Sequence, residues 1–229
     1  RLGVYTSGQY PTCGVYHEGR LWLGGAIPNR FDASSSNDFD NFSPTDPFGL
    51  VTDAHAIARV LNSDDLDDIL WMQSDPQGLL MGTISGEWLI QASTLNDPIT
   101  ATSIQANRVT KYGSTFVEPE RVGMALVFIQ RYKQRVIEYL ADAFSGRFTG
   151  RHLNEFAKHI TAAGVTEIAY QEEKVPTFWA RMTDGTLAAC TYRRLSRFVT
   201  EAPVFQAWSR QVGGGSYAGT LVRPVSSLT

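Results

Sequence analysis

The chain has 229 residues and 25.3 kDa, with 43% hydrophobic and only 19% charged residues. Net charge is −3 and the pI about 5.8, so no basic excess is present to condense on phosphate, and tight nucleic-acid binding is excluded as a main activity. No run of 18 apolar residues occurs, so no helical membrane span is predicted.

The first predicted element is a hairpin, Val15–His17 and Arg20–Leu23 around Glu18-Gly19, ended by Gly24-Gly25. A polar stretch from 28 to 47 follows, with Ser34-Ser35-Ser36 and DFDNFSPTDP. It reads as a long loop held by Phe39 and Phe42, and such loops are often functional. Ala56–Leu61 is consistent with either a strand or a pair of helical turns. Asp64, Asp65, Asp67 and Asp68 precede Ile69–Met72 and read as a helix start, where carboxylates face the positive end of the dipole.

A second hairpin, GLLMGTISGEWLI over Gly78–Ile90, is predicted to turn at Ser85-Gly86, and Thr100–Thr110 to form another strand. A third hairpin pairs Met124–Ile129, almost continuously apolar and so predicted buried on both faces, with Arg135–Leu140. Leu153, Phe156, Ala157 and Ile160 lie at helical offsets, which predicts a short helix over 153–160 that stops at Gly164. Val165–Tyr170 returns to strand. The fourth hairpin turns on Asp184-Gly185, the strongest local turn signal. Phe205–Ser209 and Leu221–Val225 are predicted strands, with a flexible break at Gly213-Gly214-Gly215 inside a C-terminal part, 210–229.

The fold expected is all-β, mainly antiparallel hairpins with one or two short helices, and propeller-like. It is read as a single domain over 1–229, or a fragment of a propeller that other segments complete. The uneven intervals between the turns at Gly19, Gly86, Lys133 and Gly185 suit diverged blades. The chain begins at Arg1 with neither a signal-peptide pattern nor an initiator Met, and we read it as a piece of a longer protein.

The chemistry-bearing residues are sparse. Cys13 and Cys190 lie outside any CxxC or Cys/His cluster and are expected to be buried free thiols. His152 and His159 are seven apart, wrong for the i, i+4 pair that clamps a metal. The Asp64–Asp68 cluster lacks the alternating ligands, Gly and closing Glu of a calcium loop. Glu87 and Glu118 are the carboxylates a glycosidase reading would need, and Trp22, Trp71, Trp88, Trp179 and Trp208 could stack on sugars or fill a core. Arg193, Arg194 and Arg197 form a basic cluster suited to phosphate or to a salt bridge at a rim. No GxSxG, HExxH or P-loop occurs. We therefore assign no catalytic, cofactor-binding or metal-binding residue.

Several segments, taken in order, resemble the tail nozzle proteins of short-tailed bacteriophages, the family of tail tubular protein B. They are HEGRLWLGG (His17–Gly25), NDFDNFS (Asn37–Ser43), GLLMGTISGEWLI (Gly78–Ile90), KYGS with RVGMALVFIQ and RVIEY (Lys111–Tyr139), HITAAGVTEIAYQ (His159–Gln171), and Trp179 followed by DGTLAACTY, ending at Tyr192. Asp32-Ala33-Ser34-Ser35-Ser36 departs from the aromatic and basic pattern of the family.

The resemblance implies a non-enzymatic structural protein of the virion, made in the bacterial host cytoplasm and placed at the distal end of the tail. It implies a homo-oligomeric ring, a hexamer for the full-length protein. It also implies contacts with other tail, adaptor and fibre proteins, and transient passage of double-stranded DNA. The alternatives are a carbohydrate- or protein-binding β module and a glycan-active propeller enzyme.

Overall fold

The computed structural model describes residues 5, 8–94, 97–141, 148–194, 204–211, 216–217 and 220–221. The chain divides into two compact units, Arg1–Phe116 and Val117–Thr229. All regular structure among the described residues is β. Among the described residues there is no helix, and none therefore long and apolar enough to cross a membrane.

In the first unit, β1 (Cys13–His17), β2 (Arg20–Gly24), β3 (Arg30–Ala33) and β4 (Ile57–Val60) form one antiparallel sheet in chain order. β5 (Ile69–Asp75), β6 (Gly78–Thr83), β7 (Glu87–Gln91) and β8 (Gln105–Thr110) form a second. The second unit repeats the plan. Its third sheet is β9 (Glu120–Val122), β10 (Ala125–Ile129), β11 (Val136–Ala141) and β12 (Phe148–His152). Its fourth is β13 (Val165–Gln171), β14 (Thr177–Met182), β15 (Leu187–Arg194) and β16 (Val204–Gln211). A small ladder joins β17 (Ser216–Tyr217) to β18 (Thr220–Leu221). Consecutive four-stranded meanders are the repeating unit of propeller-like architecture, so the expected all-β class holds.

All four predicted hairpins form. Glu18 and Gly19 have φ of 46° and 68°, the paired positive values of a type I′ turn, and His17 faces Arg20 across it. The Asp184-Gly185 turn closes as a three-residue loop. Met182 N donates to Thr186 O at 2.8 Å, and Gly185 takes the left-handed position. The first hairpin supplies strands one and two of its sheet, whereas the other three supply strands two and three. This change of phase, together with the long β3–β4 connection, explains why the first interval between turns is the longest.

Three expectations are corrected. The polar stretch over 28–47 is not loop throughout, because β3 takes Arg30–Ala33 and pairs with both β2 and β4. The acidic run at Asp64–Asp68 starts no helix, and the chain enters β5 directly after it. No helix forms over 153–160 either. Turns close there through Ala157 N to Asn154 O (3.0 Å) and Ile160 N to Ala157 O (2.9 Å). The cause lies in Asn154. Its Oδ1 accepts Val136 N, while its Nδ2 donates to Gln134 O and to Thr161 Oγ1. Local polar side chains thus compete with the helix, and Phe156 is left 93% exposed. The Gly213–Gly215 break and the continuation of the last strand beyond Leu221 lie outside the described residues.

Each unit has its own core. In the first, Trp22, Phe31, Ile69, Met81, Trp88 and Ile90 pack together, with β5 against β1 and β2. In the second, Val127, Ile129, Val165, Phe178, Met182 and Cys190 do so, with β9 beside β13. β10 is buried at every position, as predicted, but Met124 at the head of the predicted apolar run lies outside the strand and is exposed. Cys190 is buried and Cys13 half-buried, both as free thiols, and burial pushes each up to about 12.

Gly82 faces Trp71 across the β5–β6 pair, and a Cβ there would overlap the indole ring. The backbone on either side is buried, so the ring has little room to yield. Gly82→Ala should therefore destabilise the first unit by about 2–3 kcal/mol, the cost of overpacking a filled core. Urea unfolding followed by tryptophan fluorescence measures it, and a midpoint equal to that of the parent would contradict the packing described.

Candidate functional site

The turn His17–Arg20 ties together several parts of the first unit. Each of its four residues reaches a distant segment. His17 Nδ1 lies 2.8 Å from Ser74 Oγ, and Glu18 Oε2 accepts Ile99 N at 2.7 Å. Gly19 O accepts Asn37 N at 2.8 Å. The His17 carbonyl accepts the Trp22 indole N–H at 3.2 Å. Burial lowers the pKa of His17, opposed by the charges of Glu18 and Asp75.

Arg20 carries the largest share of this organisation. It is 2% exposed, and its guanidinium donates to three carbonyls: Nη1 to Ser34 O (2.7 Å) and His55 O (2.8 Å), and Nη2 to Asp53 O (2.5 Å). These carbonyls belong to the two roots of the β3–β4 connection. Burial lowers the Arg20 pKa, while the carboxylates of Asp53 and Glu18 oppose that shift. A buried cation needs several oxygens around it, and this one finds them in backbone that would otherwise drift in solvent.

The loop so anchored runs from Ser34 to Ala56. It contains Asp38, Asp40, Asp46 and Asp53 and no Lys or Arg. Its tip is locked by Asp46, whose Oδ1 accepts Phe48 N (2.9 Å) and Leu50 N (2.8 Å). Asp46 N donates to Leu50 O at 3.0 Å, and Gly49 sits at φ 84° between them. The outcome is a rigid tip that holds Phe48 94% exposed and Leu50 62% exposed. Earlier in the loop, Phe39 meets Tyr16 of β1 edge-on at 5.1 Å. Exposed apolar side chains on a fixed backbone mark a contact surface.

The carboxylates named from the sequence have different surroundings. Glu87 is buried on β7. Ser114 Oγ donates to its Oε1 at 2.8 Å, Thr110 Oγ1 donates to Oε2, and the backbone amides of Tyr112 and Gly113 also bond to it. Burial still raises its pKa above the ordinary value, against the pull of those four donors. This carboxylate pins the chain after β8 to the root of β7. Glu118 is exposed and belongs to the second unit.

Within the acidic run, Asp67 alone is buried. It accepts Ser85 N at 3.1 Å and so caps the β6–β7 turn, while its own N–H donates to Asn29 Oδ1 at 3.2 Å. Asp65 lies 3.9 Å from Arg108. Among the described residues no group of three or more His, Cys, Asp or Glu is placed to hold a metal. His152 is half-buried on β12 and His159 is exposed in the turns that follow. Burial lowers the His152 pKa, helped by the nearby Arg135 charge. Trp22, Trp71 and Trp88 are core residues, while Trp179 and Trp208 are half-buried. Of the basic cluster, Arg193 is exposed, and Arg197 and the Arg194 side chain lie outside the described residues.

Sequence reading missed Arg20 and the tip at Asp46–Leu50. The signal for the tip was present in Asp-Pro-Phe-Gly, a turn with an aromatic in it. Nothing local marks Arg20 as buried.

No protein-family model matches the chain, and no curated protein matches it either. Among solved structures, human WBSCR16 is similar to it at 14% sequence identity and a TM-score of 0.49. That likeness covers 91% of this chain and 56% of the human one, so the chain spans little more than half the length of that protein.

Arg20→Ala should cost about 3 kcal/mol, because the buried Ser34 carbonyl and the partly buried Asp53 and His55 carbonyls lose their donor together. Arg20→Lys should recover only part of this, since one ammonium cannot replace two guanidinium nitrogens. Limited proteolysis should then cut within 36–54 faster than in the parent, and an unchanged cleavage rate would count against the anchor. For Glu87, a raised folded pKa means that the native state holds its proton more tightly than the unfolded chain. Stability from this group is therefore present at low pH and is lost as pH rises from the ordinary carboxyl value through the raised one. Glu87→Gln should remove that slope from unfolding measured across pH 4–8, and a parallel pair of curves would contradict the burial assigned to it.

Proposed function

We propose that this chain is a structural component of the nozzle at the end of a short phage tail, where it works by assembling with copies of itself and with other tail proteins. The observation that carries this reading is the placement of the family-like segments. HEGRLWLGG, GLLMGTISGEWLI, the RVGMALVFIQ segment and DGTLAACTY each fall in a separate four-stranded sheet and contribute to its hairpins, in the order in which they resemble the tail tubular protein B family.

Two residues within these segments do scaffold work: Arg20 gathers a loop, and Glu87 closes a sheet. The exposed chemistry is an apolar tip on an acidic loop, suited to docking on protein. An acidic loop also repels phosphate, which fits a part that DNA passes without being held. In this reading the protein is a virion component, homo-oligomeric, and contacts adaptor or fibre proteins. It has no catalytic role.

Negative-stain electron microscopy of the full-length protein, at high concentration with its tail partners, should show closed rings. Monomers alone under those conditions would overturn the reading.

A further inference from the structure

We infer that the acidic, Phe48-tipped loop of one copy docks on the basic β10–β11 turn of a second copy. The inference rests on the assembly reading above and names the surfaces that carry it.

The loop Ser34–Ala56 has four aspartates and no cation, and its tip presents Phe48, Leu50 and Val51 to solvent. The matching surface lies in the second unit. The turn from Gln130 to Arg135 carries Arg131, Lys133 and Arg135 and no acid, and all three cations are exposed. Tyr132 is 72% exposed there, with the Arg131 guanidinium stacked 4.9 Å from its ring centroid. The two surfaces are therefore opposite in charge, and each has an aromatic at its apex.

Both are also rigid. Asp46 fixes the loop tip. The turn is closed by Gln130 N to Arg135 O (3.0 Å) and Lys133 N to Gln130 O (2.8 Å). It is held from below by Val165 N to Lys133 O (2.7 Å) and by Gln134 Nε2 to Ala162 O (3.1 Å). Prefixed surfaces lose little conformational freedom on docking, and opposite charge steers them together.

The four aspartates exclude a phosphate backbone as the occupant. A second copy is favoured because the complementary surface is present on the chain itself. Two different patches meeting in this way make a heterologous contact, the kind that closes into rings when its rotation permits.

The full-length protein tests this. Phe48→Ser, and separately the pair Arg131→Glu with Arg135→Glu, should each raise the self-association constant for dissociation at least tenfold in sedimentation equilibrium. Asp46 and Asp53 hold the loop together, so reversal on that side uses Asp38→Lys with Asp40→Lys. That pair should weaken association alone and recover it when mixed with the Arg131→Glu, Arg135→Glu protein. Mild oxidation of a mixture of Phe48→Cys and Tyr132→Cys proteins should give a disulfide-linked pair that neither protein gives alone. Assembly that is indifferent to all these changes would overturn the docking assignment and leave the nozzle reading standing. No assembly of the parent protein at all would remove both.

Discussion

The first unit depends on one buried cation. Arg20 stands at the start of β2, just past a tight turn, and its side chain enters a region from which water is excluded. A guanidinium there requires oxygen acceptors in the plane of its fork. The chain supplies them by bringing both ends of a long loop back to the same place, at Ser34, Asp53 and His55. Loop closure over that length has an entropic cost that the loop itself has little apolar surface to offset. The arginine offsets it, and in doing so sets where the exposed tip stands.

A second constraint runs through the cores. Two close contacts of the first core depend on a missing side chain. Gly82 leaves space for the Trp71 indole, and Gly24 leaves space for Met72. The first lies within one sheet, while the second joins two, since Gly24 is on β2 and Met72 on β5. Buried polar groups then finish the seams. Glu87 collects donors from the segment after β8, Asp67 caps the β6–β7 turn, and Asn154 holds the start of β11. In each case a polar residue near a turn is used for structure.

The sequence was most legible where the signal is local. Glu18-Gly19 and Asp184-Gly185 predicted turns because their residues tolerate positive φ, and the alternation or continuity of apolar residues beside them predicted strands. It was least legible where a local pattern competes with a distant partner. The spacing of Leu153, Phe156, Ala157 and Ile160 is helical, yet Asn154 and Thr161 bind Gln134 O and break it. The Asp64–Asp68 run has the composition of a helix start, yet Asp67 is claimed by Ser85. β3 lay hidden in a polar stretch because Arg30 and Asp32 satisfy one another there, with Arg30 Nη2 2.8 Å from Asp32 Oδ1.

By itself, then, the sequence determined the class of the fold, its hairpins and its slightly acidic net charge, since these follow from backbone preference, periodicity and composition. The tertiary structure decided which polar residues are spent on the scaffold and which are displayed. Arg20 and Arg131 are the same residue type in adjacent-looking turn contexts, and Asp67 and Asp40 are likewise alike on paper. One of each pair is buried and bonded, the other exposed. Burial is a property of what the rest of the chain brings to a position, and no window of neighbouring residues contains it.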